Sequence, residues 1–166
     1  MKCFKCKKRF GKVVVPSLEK KACDLCFCQI IEKRVNKVVK SLGVNQIKLR
    51  LERPSDHVLK HLLSKRWSVK IGKPNINQST LDDIAVSVLK SFFLGRDVSI
   101  KSPAPLEGVS ESELSDYARI QGIEFKGNPR IGEDKRAHDF ILKLDERRPG
   151  VMYSMRDFLK NLFKQS

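Results

Sequence analysis

Residues 47–71 read IKLRLERPSDHVLKHLLSKRWSVKI, and this stretch decides the fold class. Ile47, Leu49 and Leu51 alternate with polar residues, the period of a strand. Glu52-Arg53-Pro54-Ser55 interrupts that pattern. Val58, Leu59, Leu62 and Leu63 then recur at helical spacing, with Ser55 as the expected cap. Trp67, Val69 and Ile71 alternate again. Strand, helix and strand in this order predict an α/β sheet with helices packed on it.

Working outward toward the C-terminus, Gly72 to Asn77 reads as loop. A helix follows from Ser79 or Thr80 to Leu94, with Leu81, Ile84, Ala85, Val88, Leu89, Phe92 and Phe93 expected to be buried. Ser79-x-x-Asp82 and Thr80-x-x-Asp83 are both capping-box patterns. Ser110-Glu-Ser-Glu113 is another, opening a helix to Gln121 that Gly122 closes. Ala137, Phe140, Ile141 and Leu144 mark a further helix ended by Pro149-Gly150, and a short one follows from Ser154 to Phe163.

Toward the N-terminus, Ile31, Val35, Val38, Val39 and Leu42 form the apolar stripe of a helix from Cys28 to Leu42, ended by Gly43. Lys33, Arg34, Lys37 and Lys40 lie mostly off that stripe and give it a basic face. Ahead of it stand Cys3-Phe-Lys-Cys6 and Cys23-Asp-Leu-Cys26, two C-x2-C pairs with sixteen residues between them. This is zinc-site spacing. Each pair makes a tight turn whose sulfurs point the same way, and two turns supply four thiolates at tetrahedral geometry. A closed site of this kind leaves no position for substrate, so the expected Zn2+ is structural. Val13 to Val15 reads as a short strand between the pairs. Cys28 is expected to be a small buried residue of the following helix.

The chain has 166 residues, with 34 Lys and Arg against 19 Asp and Glu, a net charge of +15. Residues 1–42 hold 12 basic and 3 acidic side chains, a net of +9. Charge at this density beside a metal site points to nucleic acid phosphate as partner. The candidate contacts are Lys5, Lys7, Lys8, Arg9, Lys12, Lys33, Arg34 and Lys37, with Phe4 and Phe10 interleaved for stacking or for packing on the metal turns. Lys126, Arg130, Lys135 and Arg136 form a second basic cluster. No run reaches the ~18 apolar residues of a membrane-spanning helix. The basic N-terminus lacks the apolar core of a secretory signal, so a cytoplasmic location is expected. His57 and His61 share a helix face without an evident third ligand, and His138 has no partnering nucleophile.

The order of these features resembles the tRNA 2-thiolation enzymes, PP-loop ATP pyrophosphatases that place sulfur on cytidine or uridine. Four collinear pieces carry the resemblance. They are the zinc module running into a basic helix, STLDDIAVSVLKSFFLGRD at 79–97, PAPLEGVSESELSDYARIQGIEF at 103–125 and DFILKLDERRPGVMYSM at 139–155. The resemblance implies a truncated PP-loop (Rossmann-like) core over 43–166, an N-terminal zinc ribbon with a basic linker helix over 1–42, and a helical C-terminal part. It also implies that Asp56, Asp82 and Asp83 are the remnant of a nucleotide site.

The departures are as informative. Where the family has a Ser-Gly-Gly-x-Asp-Ser loop, this chain has Glu52-Arg53-Pro54-Ser55-Asp56-His57. Both glycines are gone, Pro54 lacks an N–H, and Glu52 adds negative charge where phosphate would sit. The segment between His57 and Asp82 is short by the family's standard, and no cysteine follows Cys28. The expectation is a non-catalytic tRNA-binding or partner subunit with a degenerate ATP-binding loop and no ATP. Its implied partners are tRNA and either a full-length PP-loop thiolation enzyme or a second copy of the chain. Two alternatives stand: an active ATP-dependent tRNA sulfurtransferase, and an unrelated zinc-ribbon nucleic-acid binder.

Overall fold

The computed structural model describes residues 1–95 and 103–164, so Arg96 and Asp97 of the second matching piece lie outside the described residues. The chain is mixed α/β, with six α-helices and two small sheets among the described residues. Strand β1 (Val13–Val15) pairs antiparallel with β2 (Lys20–Ala22) across a 3-10 turn at Pro16–Leu18. Helix α1 (Asp24–Ser41) follows directly. Strand β3 (Ile47–Leu49), helix α2 (Pro54–Ser64) and strand β4 (Val69–Ile71) then form the expected unit, with β3 and β4 parallel. The remainder is helical: α3 (Leu81–Leu94), α4 (Glu111–Gln121), α5 (Gly132–Arg147) and α6 (Val151–Lys164).

Several local readings differ from expectation; the final helix, for one, opens at Val151 rather than Ser154. Helix α1 begins at Asp24 rather than Cys28, because Cys23 serves as its N-cap and Phe27, fully buried, extends the apolar stripe backward. Ser55 does not cap α2. The Asp56 carboxylate does so instead, accepting from the N–H groups of Glu52 and Arg53 at 3.2 and 2.9 Å. Phe92 and Phe93 are exposed, at 65% and 74%, Phe92 meeting the Phe158 ring of α6 at 5.5 Å between centroids.

One apolar core runs from the cysteine module through α1 into β3, α2 and α4. A second lies among α3, α5 and α6 around Leu81, Ile141 and Met152. Polar ties join the elements of the first. Lys65 Nζ, at the end of α2, bonds Glu32 of α1 and Tyr117 and Gln121 of α4 at 2.6, 2.9 and 2.9 Å. Burial pushes the Tyr117 phenol up to about 12, so it stays a neutral donor to Glu32. Glu113 is the second tie. Buried at the start of α4, it caps Ser110 N, pairs with Arg34 of α1 at 2.8 Å and accepts from Tyr153 of α6 at 2.8 Å.

The loop Gly72–Asn77 has a definite task. A parallel pair leaves alternate backbone groups of β3 facing away from β4. Asn75 Oδ1 accepts from Lys48 N at 2.8 Å, and Asn75 Nδ2 donates to Gln46 O at 2.9 Å. Gln78 Oε1 accepts from Arg50 N at 2.9 Å while its Nε2 donates to Arg50 O at 2.8 Å. Two side-chain amides thus stand where a third strand would pair.

Candidate metal centre and the loop before helix α2

Cys3, Cys6, Cys23 and Cys26 come together, all four Sγ atoms lying within 4.8 Å of one another. Cys6 and Cys23 sulfurs are 3.9 Å apart. The local chain explains why. After each C-x2-C pair an amide turns back onto the first cysteine's carbonyl: Lys7 N to Cys3 O and Phe27 N to Cys23 O, both at 2.9 Å. Lys7 takes a left-handed φ of 57° to close the first turn. Gly11 is required by close approach, because a Cβ there would sit 2.9 Å from the Lys21 carbonyl oxygen.

The donor chemistry fits a metal. A tetrahedron of sulfurs about 2.3 Å from one ion has edges of about 3.8 Å, close to the spacing observed. Burial alone would push the Cys3 thiol up, but the N–H groups of Cys6, Cys23 and Lys5 outweigh it and hold it at about 6. Cys6 is lowered chiefly by the N–H groups of Arg9 and Lys8. Cys26 is pushed up to about 12 by burial and by the neighbouring sulfurs. A cation at the centre removes that mutual penalty and deprotonates all four. Cys28 is outside the group. It lies buried on α1, accepting from Gln121 Nε2 at 3.6 Å, and burial raises its thiol.

The loop before α2 is closed by its own chain. Glu52 N and Arg53 N bond Asp56, Pro54 has no N–H, and Ser55 N donates to Asn128 Oδ1 at 3.1 Å. Arg53 folds over the loop, its guanidinium reaching Asp83 at 2.8 Å, Gln78 O at 2.7 Å and Asp56 at 3.4 Å. Arg130 meets Asp83 from the other side at 2.8 Å and Glu111 at 2.5 Å. Glu111 also accepts from Asn128 N and Nδ2. A cleft of about 440 Å³ opens beside this network, lined by Arg53, Asp83, Lys90, Asn128 and Arg130 among others.

The three acids therefore have structural partners. Asp83 caps α3 in a reciprocal box with Thr80. Asp82 does not form the second expected box with Ser79. It is buried, accepting from Glu111 N at 2.7 Å, with His138 Nε2 at 3.1 Å. Sequence reasoning missed Asn128 and Arg130 as members of this network, since neither carries a local motif. His57 is exposed. His61 packs edge-on to Tyr117, its buried Nε2 without a hydrogen-bond partner.

Of the basic candidates, Lys5, Lys7, Lys8, Arg9, Lys12, Lys33 and Lys37 are exposed, whereas Arg34 is half-buried against Glu113. Phe4 is half-buried against the first core, and Phe10 is 64% exposed. No helix among the described residues is long and apolar enough to cross a membrane.

No protein-family model and no curated protein matches the chain. Among solved structures it is similar to the U34-tRNA thiolase NcsA from Methanococcus maripaludis, solved with its [4Fe-4S] cluster, at a TM-score of 0.78 and 17% identity, over 100% of this chain and 88% of that one. At that identity the likeness establishes a shared fold: the chain has the fold of a tRNA thiolase.

Proposed function

We propose that the chain is a non-catalytic, degenerate relative of the tRNA 2-thiolation enzymes, a tRNA-binding or partner subunit whose four cysteines hold one structural zinc ion. The reading is supported by the thiolase-like fold and, above all, by the loop before α2. A phosphate-binding loop needs free, convergent N–H groups. Here those of Glu52, Arg53 and Ser55 are taken by Asp56 and Asn128, and Pro54 has none. Arg53 occupies the mouth of the loop with its charge matched by Asp83 and Asp56. Any ATP phosphate entering there has to displace three internal bonds and two ion pairs.

Zinc is favoured over an iron–sulfur cluster at the cysteines by spacing. A cubane carries one cysteine sulfur on each iron corner, farther apart than the mutual 4.8 Å limit seen here. The exposed lysines of the module and α1 are the proposed tRNA contacts. The exposed faces of Phe92, Phe93 and Phe158, two of which pack on each other, suit a partner subunit, either a full-length PP-loop enzyme or a second copy.

The test is direct. Purified chain given ATP and tRNA should bind tRNA and release no AMP. AMP formation that depends on Asp56, Asp82 or Asp83 would establish the active-enzyme alternative instead.

A further inference from the structure

A second cleft, of about 520 Å³, lies where the 3-10 turn, α1, the loop before α4 and α6 meet. Ser17, Arg34, Lys37, Tyr153, Arg156 and Lys160 are among its lining residues. Four cations thus face one lining carboxylate, Glu107, which pairs with Lys160. Glu113 behind the wall takes Arg34, and Asp157 beside it takes Arg156. The excess rests on Lys37, exposed and without an acidic partner among the described residues.

The guanidinium of Arg156 is held in place before any ligand arrives. It lies over the Tyr153 ring at 5.4 Å from the centroid, and its Nε and Nη2 bond Asp157 at 2.9 and 2.7 Å. Gly108 leaves room for it, since a Cβ there would stand 3.2 Å from Nη1. Ser17 and Ser41 line the same space, the Ser17 hydroxyl accepting from Arg34 and the Ser41 hydroxyl donating to Val38 O. A pre-oriented guanidinium and an unpaired ammonium beside one concavity suit a phosphodiester.

We propose that this cleft binds a backbone phosphate of tRNA, so that the C-terminal helix α6 and α1 grip the RNA together. The inference rests on the tRNA-binding reading and adds Arg156 of α6, which sequence reasoning did not consider. Lys37→Ala and Arg156→Ala should each weaken binding of an unmodified tRNA transcript and reduce the slope of log K against log salt by about one. Lys70→Ala, which removes the same charge from exposed β4, should leave both unchanged. Thermal melting of each variant establishes that it is folded. Equal effects from all three substitutions, or none, would overturn the site while leaving tRNA binding intact. A wild-type chain that fails to bind the transcript would overturn the underlying reading and the site with it.

Discussion

At the residue scale, Arg130 and Arg53 look alike in their pairing with Asp83 but differ in burial. The Arg130 side chain is 9% exposed and also holds Glu111, itself 11% exposed, while Arg53 is 33% exposed. Removing one member of a buried ion pair strands the other charge, at a cost of about 3 kcal/mol. Arg130→Ala should therefore lower stability by about that much in urea unfolding. Arg53→Ala, whose partners keep the Thr80 and loop amides and gain water, should cost only about 1 kcal/mol. Similar losses for the two would mean that burial does not set the difference. Neither role was legible beforehand. The loss of glycine at Arg53 was plain in the sequence, but where its guanidinium goes depends on Asp83, thirty positions away, and on Gln78 O. Arg130 reaches Asp83 across 47 positions, a separation at which no local period or cap leaves a trace.

At the element scale, strand alternation and helical spacing gave β3, α2, β4 and α3 with small errors at the ends, because those signals are local. The sealed edge of β3 was not legible, because Asn75 and Gln78 are ordinary loop residues until a strand lies beside them. Each returns amide donors and acceptors to a backbone that would otherwise be left half-paired. Gln78 is buried, so Gln78→Ala leaves Arg50 N and O without partners and should cost about 2 kcal/mol. Hydrogen exchange at Arg50 should quicken, with Lys48 N, still held by Asn75, nearly unchanged. Gln78→Glu is the sharper variant. Its carboxylate still accepts from Arg50 N but has nothing to donate to Arg50 O, so it should rescue the amide's protection while recovering only part of the stability. Wild-type exchange at Arg50 in Gln78→Ala would mean the amide clamp is incidental.

At the scale of the whole molecule, the cysteine module and the α/β body share one apolar core through α1, so the metal bears on more than its own turns. Residues 1–22 hold three-residue strands and few large buried side chains, with Cys3 and Cys23 themselves counted in the core. Binding of structural zinc by small cysteine modules contributes roughly 10–16 kcal/mol, comparable to the whole stability of an ordinary domain. Without the ion, four thiols, three of them buried, crowd one another and the hairpin loses its anchor. The purified chain should carry one zinc and no iron by elemental analysis, and a strong chelator should unfold residues 1–22. Loss of Cys23 and Phe27 from their places frees the first turns of α1, so the melting temperature of the body should fall as well. The α3–α5–α6 cluster, which does not touch the module's core, should keep its amide protection longest. Cys3→Ser should reproduce the chelated state, and Cys28→Ser should retain the metal in full, since Cys28 faces Gln121 rather than the other sulfurs. If Cys28→Ser loses the ion, the ligand set has been misassigned. If chelation leaves α1 and the melting temperature untouched, the module is an appendage and the shared core contributes little to holding the two parts together.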